Sequence, residues 1–351
     1  MAYASITKPS LHFNTNLFTS NGSETSQTGL GFRPDLVWNK SRSAINSHVI
    51  CNSVSGTGKF LASNNTDAET TATGTVSSFD SDGFTFSADS GGYGNTNGRT
   101  YANWCWKAGG SGSANTDGTI NSTVSVNTTA GFSIVTYTGN ATNGATVGHG
   151  LGVAPKVVII KNKAQNNTGW VVGHDSLGWT KYLQLNTTGP ETTDNVFNNA
   201  APTSSVFAVV DDGKVNSGAG SHIAYCFAEK QGYSKFGSYI GNGNADGAFV
   251  YTGFKPAFVI FKATHSTTSE SWLLLDTVRQ PSNVNNRRLR PDTNSAEDTP
   301  SANNVDLLSN GFKIRSSDNR LNGSGHPLIY MAFASEPLVA NVGSSIPATA
   351  R

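Results

Sequence analysis

The chain has 351 residues, of which only 13% are charged, against about 25% in ordinary soluble proteins, and its formal net charge is +1. That balance leaves no global field to draw it to nucleic acid or to an anionic membrane, and no stretch approaches the roughly 18 apolar residues of a membrane span. With 18 Phe, 10 Tyr and 6 Trp the chain has enough apolar area for real cores, and 38 Gly among abundant Asn, Ser and Thr favour turn-rich β structure over disorder.

In chain order, the opening Met1-Ala-Tyr-Ala-Ser5 lacks the basic and apolar segments of a leader, so the protein is expected to be made in a cytosol and to stay soluble. A first strand and turn are expected to end at Phe18-Thr-Ser-Asn-Gly22. Then Gly31-Phe-Arg-Pro-Asp-Leu-Val-Trp-Asn-Lys40 introduces a pattern that returns as Gly152-Val-Ala-Pro-Lys-Val-Val-Ile-Ile-Lys161 and Gly253-Phe-Lys-Pro-Ala-Phe-Val-Ile-Phe-Lys262. Proline fixes φ and donates nothing to a ladder, so in each copy it predicts the first residue of a strand buried on both sides. A second block, Tyr101-Ala-Asn-Trp-Cys-Trp106, is echoed by His222-Ile-Ala-Tyr-Cys-Phe227 and Leu328-Ile-Tyr-Met-Ala-Phe333. Turn clusters separate short strand patterns, and no window holds a 3.6-residue apolar period with caps.

These blocks predict an all-β protein of three tandem divergent β-sandwich repeats, jelly-roll-like, over 1–110, 131–231 and 232–341. The Gly- and Ser-rich stretch from Lys107 to Thr116 opens an expected flexible linker over 111–130, and 342–351 an expected flexible tail. Glu229 to Lys235 joins the second and third copies more tightly. Pseudo-threefold closure and a linear string are both compatible with this pattern. Cys51, Cys105 and Cys226 are too few and too scattered for disulfides or zinc and read as buried small residues.

Several residues carry candidate chemistry. Asp80-Ser-Asp-Gly83 opens like a calcium loop but lacks the closing Glu, so a turn is the expectation. Asp175 and Asp276 share an offset from their prolines and could serve glycoside hydrolysis, but the first copy has Val54 there, which favours a strand-end turn. His174 beside Asp175 suggests a triad, although no Gly-x-Ser-x-Gly elbow occurs. Lys40, Lys161 and Lys262 recur with Glu69, Glu191 and Glu297 and predict a repeated ion pair. Trp170, Trp179 and Trp272 are candidate glycan platforms, with core packing as the competing role, whereas Trp104 and Trp106 share a strand face and read as core. The basic run Arg287-Arg-Leu-Arg290 could meet an anionic glycan or a neighbouring subunit, with a solvated loop as the default. The Asn-x-Ser/Thr triplets follow from composition. No cofactor, metal or catalytic residue is assigned.

Trp104-Cys-Trp-Lys-Ala-Gly-Gly110, Asn115-Thr-Asp-Gly-Thr119, Gly131-Phe-Ser-Ile-Val-Thr-Tyr-Thr-Gly139, Val147-Gly-His-Gly-Leu-Gly152, Asp246-Gly-Ala-Phe-Val-Tyr-Thr-Gly-Phe-Lys-Pro256, Ser309-Asn-Gly-Phe-Lys313 and Ile329-Tyr-Met-Ala-Phe-Ala334 occur in order. Together they resemble a domain of unknown function common in virion proteins of marine and cyanobacterial tailed phages, often tail-fibre proteins. The resemblance implies a non-catalytic structural protein at the tail or capsid surface, made in the host cytoplasm. Its partners would be other virion proteins and a host surface glycan, not nucleic acid or membrane, and it would be a homotrimer or present in many copies. A capsid decoration protein, with the N-terminal segment and the 342–351 tail as docking arms, is the alternative. A polysaccharide depolymerase is a third reading.

Overall fold

The computed structural model describes residues 4–265 and 269–337. The fold is all-β: helix is confined, among these residues, to two 3₁₀ turns and the four-residue Asn319–Asn322. Three large antiparallel sheets share one strand order. The first runs Phe13–Thr19, Thr100–Trp106, Leu36–Ser41, Val49–Asn52; the second has Phe132–Thr138, Ser221–Phe227, Val157–Asn162, Val171–His174; the third has Ser234–Ile240, Pro327–Pro337, Phe254–Ala263, Leu273–Asp276. Each faces a small sheet, built on the hairpins Val76–Asp80 with Gly83–Phe86 and Val305–Leu308 with Gly311–Ile314, and in the second on Ala145–Gly148 with Val206–Val209. A large sheet and its small sheet are called a unit below.

Alternation along the central strands explains why they read as continuous apolar runs. One face of each large sheet packs on its own small sheet, as Val37, Cys51 and Cys105 do on Phe84 and Phe86. The other face enters a core common to all three units, containing Leu36, Trp104, Val157, Tyr225, Phe258 and Met331. Its hub is the set of aromatics that closes the second sequence block. Trp106, Phe227 and Phe333 form a triangle of rings, with centroids 6.4, 5.6 and 5.8 Å apart in T-shaped contacts. Beside the hub lies an apolar-lined cavity of about 30 Å³, to which Trp38, Trp170 and Trp272 all contribute.

The units close on one another in a ring through three corresponding sets of bonds. Trp170 Nε1 donates to Ala62 O at 2.9 Å, Trp272 Nε1 to Gln184 O at 3.0 Å, and His48 Nε2 meets Arg290 O at 3.0 Å. His48 accepts from Trp38 Nε1 through Nδ1, so its Nε2 carries the proton; burial first, then the Lys40 charge, holds its pKa well below the usual histidine value. The three lysines expected to pair with glutamates do something else. Lys40, Lys161 and Lys262 are fully buried, and each donates to a carbonyl of the neighbouring unit: Asn294 O at 3.3 Å, Thr66 O at 3.4 Å and Thr188 O at 2.9 Å. Each also donates within its own unit, to Ser41 O, Asn162 O and Glu270 O.

The glutamates take the position two residues further on. The backbone N–H groups of Glu69, Glu191 and Glu297 donate to Lys163 O, Thr264 O and Arg42 O across the three interfaces. Glu69 pairs with Lys163 at 3.1 Å, and Glu297 binds Arg42 through two 2.9 Å contacts. At the third interface the residue is Thr264, and Glu191 turns to Lys181 of its own unit. The strand position was right and the partner wrong, because a side chain pointing into the seam reaches a main-chain carbonyl before it reaches a carboxylate.

Two further expectations change. Residues 111–130, read as a linker, contain the strands Ser113–Asn115 and Ser122–Asn127, which extend the second large sheet beyond Phe132–Thr138. Their glycines serve close approach: a Cβ on Gly109 or Gly118 would lie 2.7 or 2.4 Å from carbonyl oxygens of Val126 or Thr146. Composition suited to flexibility is here suited to tight packing. Pro34 and Pro155 precede their strands by two residues, but Pro256 sits inside Phe254–Ala263, where the ladder shifts register on both sides of it. A bulge is where a residue without an N–H fits a paired strand. The Gly that precedes each proline by three is left-handed in all copies, with φ of +82°, +72° and +81° at Gly31, Gly152 and Gly253. The 342–351 tail lies outside the described residues.

Candidate functional site

The aromatic candidates for ligand stacking are not surface groups. Trp170 is 0%, Trp272 2% and Trp179 6% exposed. Trp170 and Trp272 sit in the common core with their N–H groups bonded across interfaces, and Trp179 packs edge-on against Phe197 at 5.2 Å inside the second unit. Large rings beside a β-branched run are drawn into the core by their apolar area, which outweighs any surface use. Trp104 and Trp106 lie in the same core.

The candidate carboxylates are also separated in role. Asp276 is buried, accepts from Trp104 Nε1 at 3.0 Å and pairs with Arg279, while its other oxygen caps the turn at Val278 N and Arg279 N. Asp175 is exposed and pairs with Lys156 at 2.7 Å. Their shared offset from proline is misleading because of the bulge at Pro256: in register, Asp276 corresponds to His174 and Asn52. His174 is buried, accepts from Ser176 N through Nδ1, and has its pKa lowered to about 4, mainly by burial. Asn52, His174 and Asp276 therefore each cap the turn after a fourth strand.

Asp80 and Asp82 form a hairpin turn, Asp80 accepting from Ser78 and Thr85 hydroxyls and Asp82 from Gly29 N and Gly31 N. Among the described residues no group of His, Cys, Asp and Glu is placed to hold a metal ion. The basic run is neutralised locally: Arg288 and Arg290 meet Asp298, and Arg287 approaches Glu297. The N-terminal segment is docked as well, with Ala4 and Ile6 buried and Ser5 N bonded to Gln231 O.

Among the described residues, the large aromatic side chains that stay exposed lie on the third small sheet. Its edge strand Phe249–Tyr251 buries Val250 and presents Phe249 and Tyr251, 46% and 58% exposed, on one face two residues apart. Opposite Tyr251 is Gly311, where a Cβ would meet Val250 O at 2.0 Å; no side chain there covers the ring. Opposite Phe249 is Lys313, which faces Asp306 across the next strand. Lys313 pairs with Asp246 at 2.8 Å, and Arg315 reaches Asp306 at 3.0 Å. The Lys313 hydrogen bond and charge hold the fully exposed Asp246 carboxyl below its ordinary range. Two flat apolar faces are thus bordered by fixed donors and acceptors.

The fold does not require these rings. The corresponding edge residues are Ser26 and Thr28 in the first unit and Thr146 and Gly148 in the second, fixed by their registers with Gly83 and Val206. Comparing the copies at these positions was the sequence signal that could have located the site: aromatic, Val, aromatic where the other copies have small or polar residues.

No curated protein and no solved structure matches the chain. A family model described as a domain of unknown function, DUF7483, matches residues 8–337, spanning all three units, and the chain belongs to that family.

Proposed function

We propose that this protein is a surface component of a tailed-phage virion that attaches by non-catalytic binding, with a sugar ring of a host glycan stacking on Phe249 and Tyr251. The observation that supports it is the exposure of these two rings on a small sheet whose counterparts manage without them. A sugar offers an apolar C–H face to an aromatic ring and hydroxyls to the Asp246, Lys313 and Arg315 groups around it. The rest of the molecule acts as the rigid mount, since a site on a packed sheet holds its geometry better than one on a loop.

Capsid decoration is the second reading, and ring closure favours it, because three corresponding faces around one axis suit a threefold position on a shell. Immunogold labelling of intact particles separates the two: label at the tail supports attachment and label over the head supports decoration. Within the attachment reading, Phe249→Ala with Tyr251→Ala should abolish binding to host cells and to a glycan array while leaving melting unchanged. Full binding by that variant would remove this face from the mechanism.

A further inference from the structure

The strand Phe249–Tyr251 also has an open backbone edge. Among the described residues it pairs only with Gly311–Ile314. Thr252 N donates to Asn310 O, and Ile314 N donates to Ala248 O, so the bonded rows fall at 248, 250 and 252. By the alternation of an antiparallel ladder, the N–H and C=O groups of Phe249 and Tyr251 point away from the sheet. No described residue bonds to them.

The second unit shows what this edge accepts. There Thr146, the counterpart of Phe249, receives Ile120 N on its carbonyl at 2.9 Å, and Ile120 bridges Val147 in parallel. The capping segment comes from the long connection between Trp106 and Phe132. The third unit has only residues 228–233 between its flanking strands, and these are used in a turn in which Tyr233 N and Ser234 N both donate to Lys230 O. The first unit's edge strand also ends its sheet, but it carries Ser26 and Thr28 in place of the rings, and the Ser26 hydroxyl is bonded to Thr85. An open edge carrying two exposed aromatics is a template for another strand.

We propose that the occupant is the same edge of a second copy of this chain, giving a twofold dimer with a continuous six-stranded sheet across the seam. Phe249-Val-Tyr251 is self-complementary. A twofold axis at Val250 sets Phe249 opposite the partner's Tyr251 and Tyr251 opposite the partner's Phe249, and the outward groups of both residues then exchange N–H···O=C bonds in each pair, four in all. On the exposed face each Phe ring lies beside a Tyr ring, a favourable cross-strand pairing. The dimer joins two two-ring faces into one four-ring strip, and this holds whether or not that strip binds sugar.

Sedimentation velocity of the full chain over micromolar to millimolar concentrations tests the proposal. The expected result is a concentration-dependent dimer. Tyr251→Pro removes an outward N–H that the sheet does not use, which an edge strand tolerates, and should give a monomer with unchanged melting. Phe249→Ser with Tyr251→Thr, the residues of the first unit, keeps the amides, loses the rings and should weaken dimerisation at least tenfold. Val250→Cys should crosslink two copies on oxidation, because residues facing each other at a non-bonded antiparallel position are within disulfide reach. A wild-type monomer at millimolar concentration, or a dimer untouched by Tyr251→Pro, would overturn the assignment.

Discussion

Replacing Trp106 by Ala tests whether three sheets share one core or stand as three beads. Trp106 is 2% exposed, and its ring lies 4.8 Å from Phe13, 5.6 Å from Phe258 and Phe333, and 6.4 Å from Phe227, so it touches all three units. Truncating a ring packed this way costs about 3–5 kcal/mol, transfer and cavity combined. Spread over the unfolding entropy of a chain of this length, that lowers the melting temperature by about 4–7 °C. Differential scanning calorimetry of the wild type should show one cooperative transition, and the variant should move the whole of it. A variant whose first unit melts early, with two later transitions unmoved, would refute a common core. Trp106→Phe gives the control: among the described residues the indole N–H has no hydrogen-bond partner, so exchanging it for Phe loses only part of the ring volume and should cost less than the Ala variant.

Burial pushes Lys40 down to about 7 and Lys161 and Lys262 down to about 8, so the folded state releases these protons before the unfolded chain does, near 10.5. Stability should therefore rise from pH 7 to about pH 9, by at most about 1.4 kcal/mol per pH unit for each lysine, and replacing all three by Met should flatten the slope in urea titrations. Above that the trend should weaken, because burial raises Cys51 and Cys226 from 9.0 to about 12 and favours their protonated folded forms. Burial alone would raise the Glu297 carboxyl, but the hydrogen bond from Arg42 and the Arg279 charge hold it below its ordinary value. Glu297→Gln should thus cost about 1–3 kcal/mol by chemical denaturation, against less than about 1 for Glu191→Gln at the more exposed Lys181 pair, and the Glu297 contribution should disappear as pH falls below 4.5. Gly152→Ala meets no atom within 4 Å, so its cost of about 1–2 kcal/mol should be conformational strain at φ +72° alone.

The all-β class was legible because strand and turn signals are local: β-branched runs bounded by Gly, Asn and Pro need no knowledge of the neighbours. The two sequence blocks also marked where the large sheets would lie, and their final aromatics, Trp106, Phe227 and Phe333, became the hub. Roles that depend on the ring were not legible. Lys161 donates to Thr66 O, a main-chain group with no side-chain signature, so sequence offered Glu191 as the more obvious partner. For Trp170 and Trp272 the sequence leaves core packing and a glycan platform both open, because the surface that buries them belongs to another unit. The glycines of 107–118 read as slack because a glycine that admits a neighbouring carbonyl and one that admits rotation are the same letter. The exposed pair Phe249 and Tyr251 was written in the sequence but became distinctive only against the registers of the other two edges.

The bonds that close the ring have a consequence for how such sequences drift. The acceptors at the three seams are the carbonyls of Ala62, Gln184 and Arg290, and of Thr66, Thr188 and Asn294. A carbonyl is present whatever the side chain, so mutation of these loops leaves the acceptor in place as long as the backbone path survives. Identity is demanded on the donor side, at the lysine and at the ring that reaches across. Loops within one chain can therefore lose all likeness to each other while the assembly geometry persists, and relatives of this protein should be recognisable by their donors long after their loops have ceased to align.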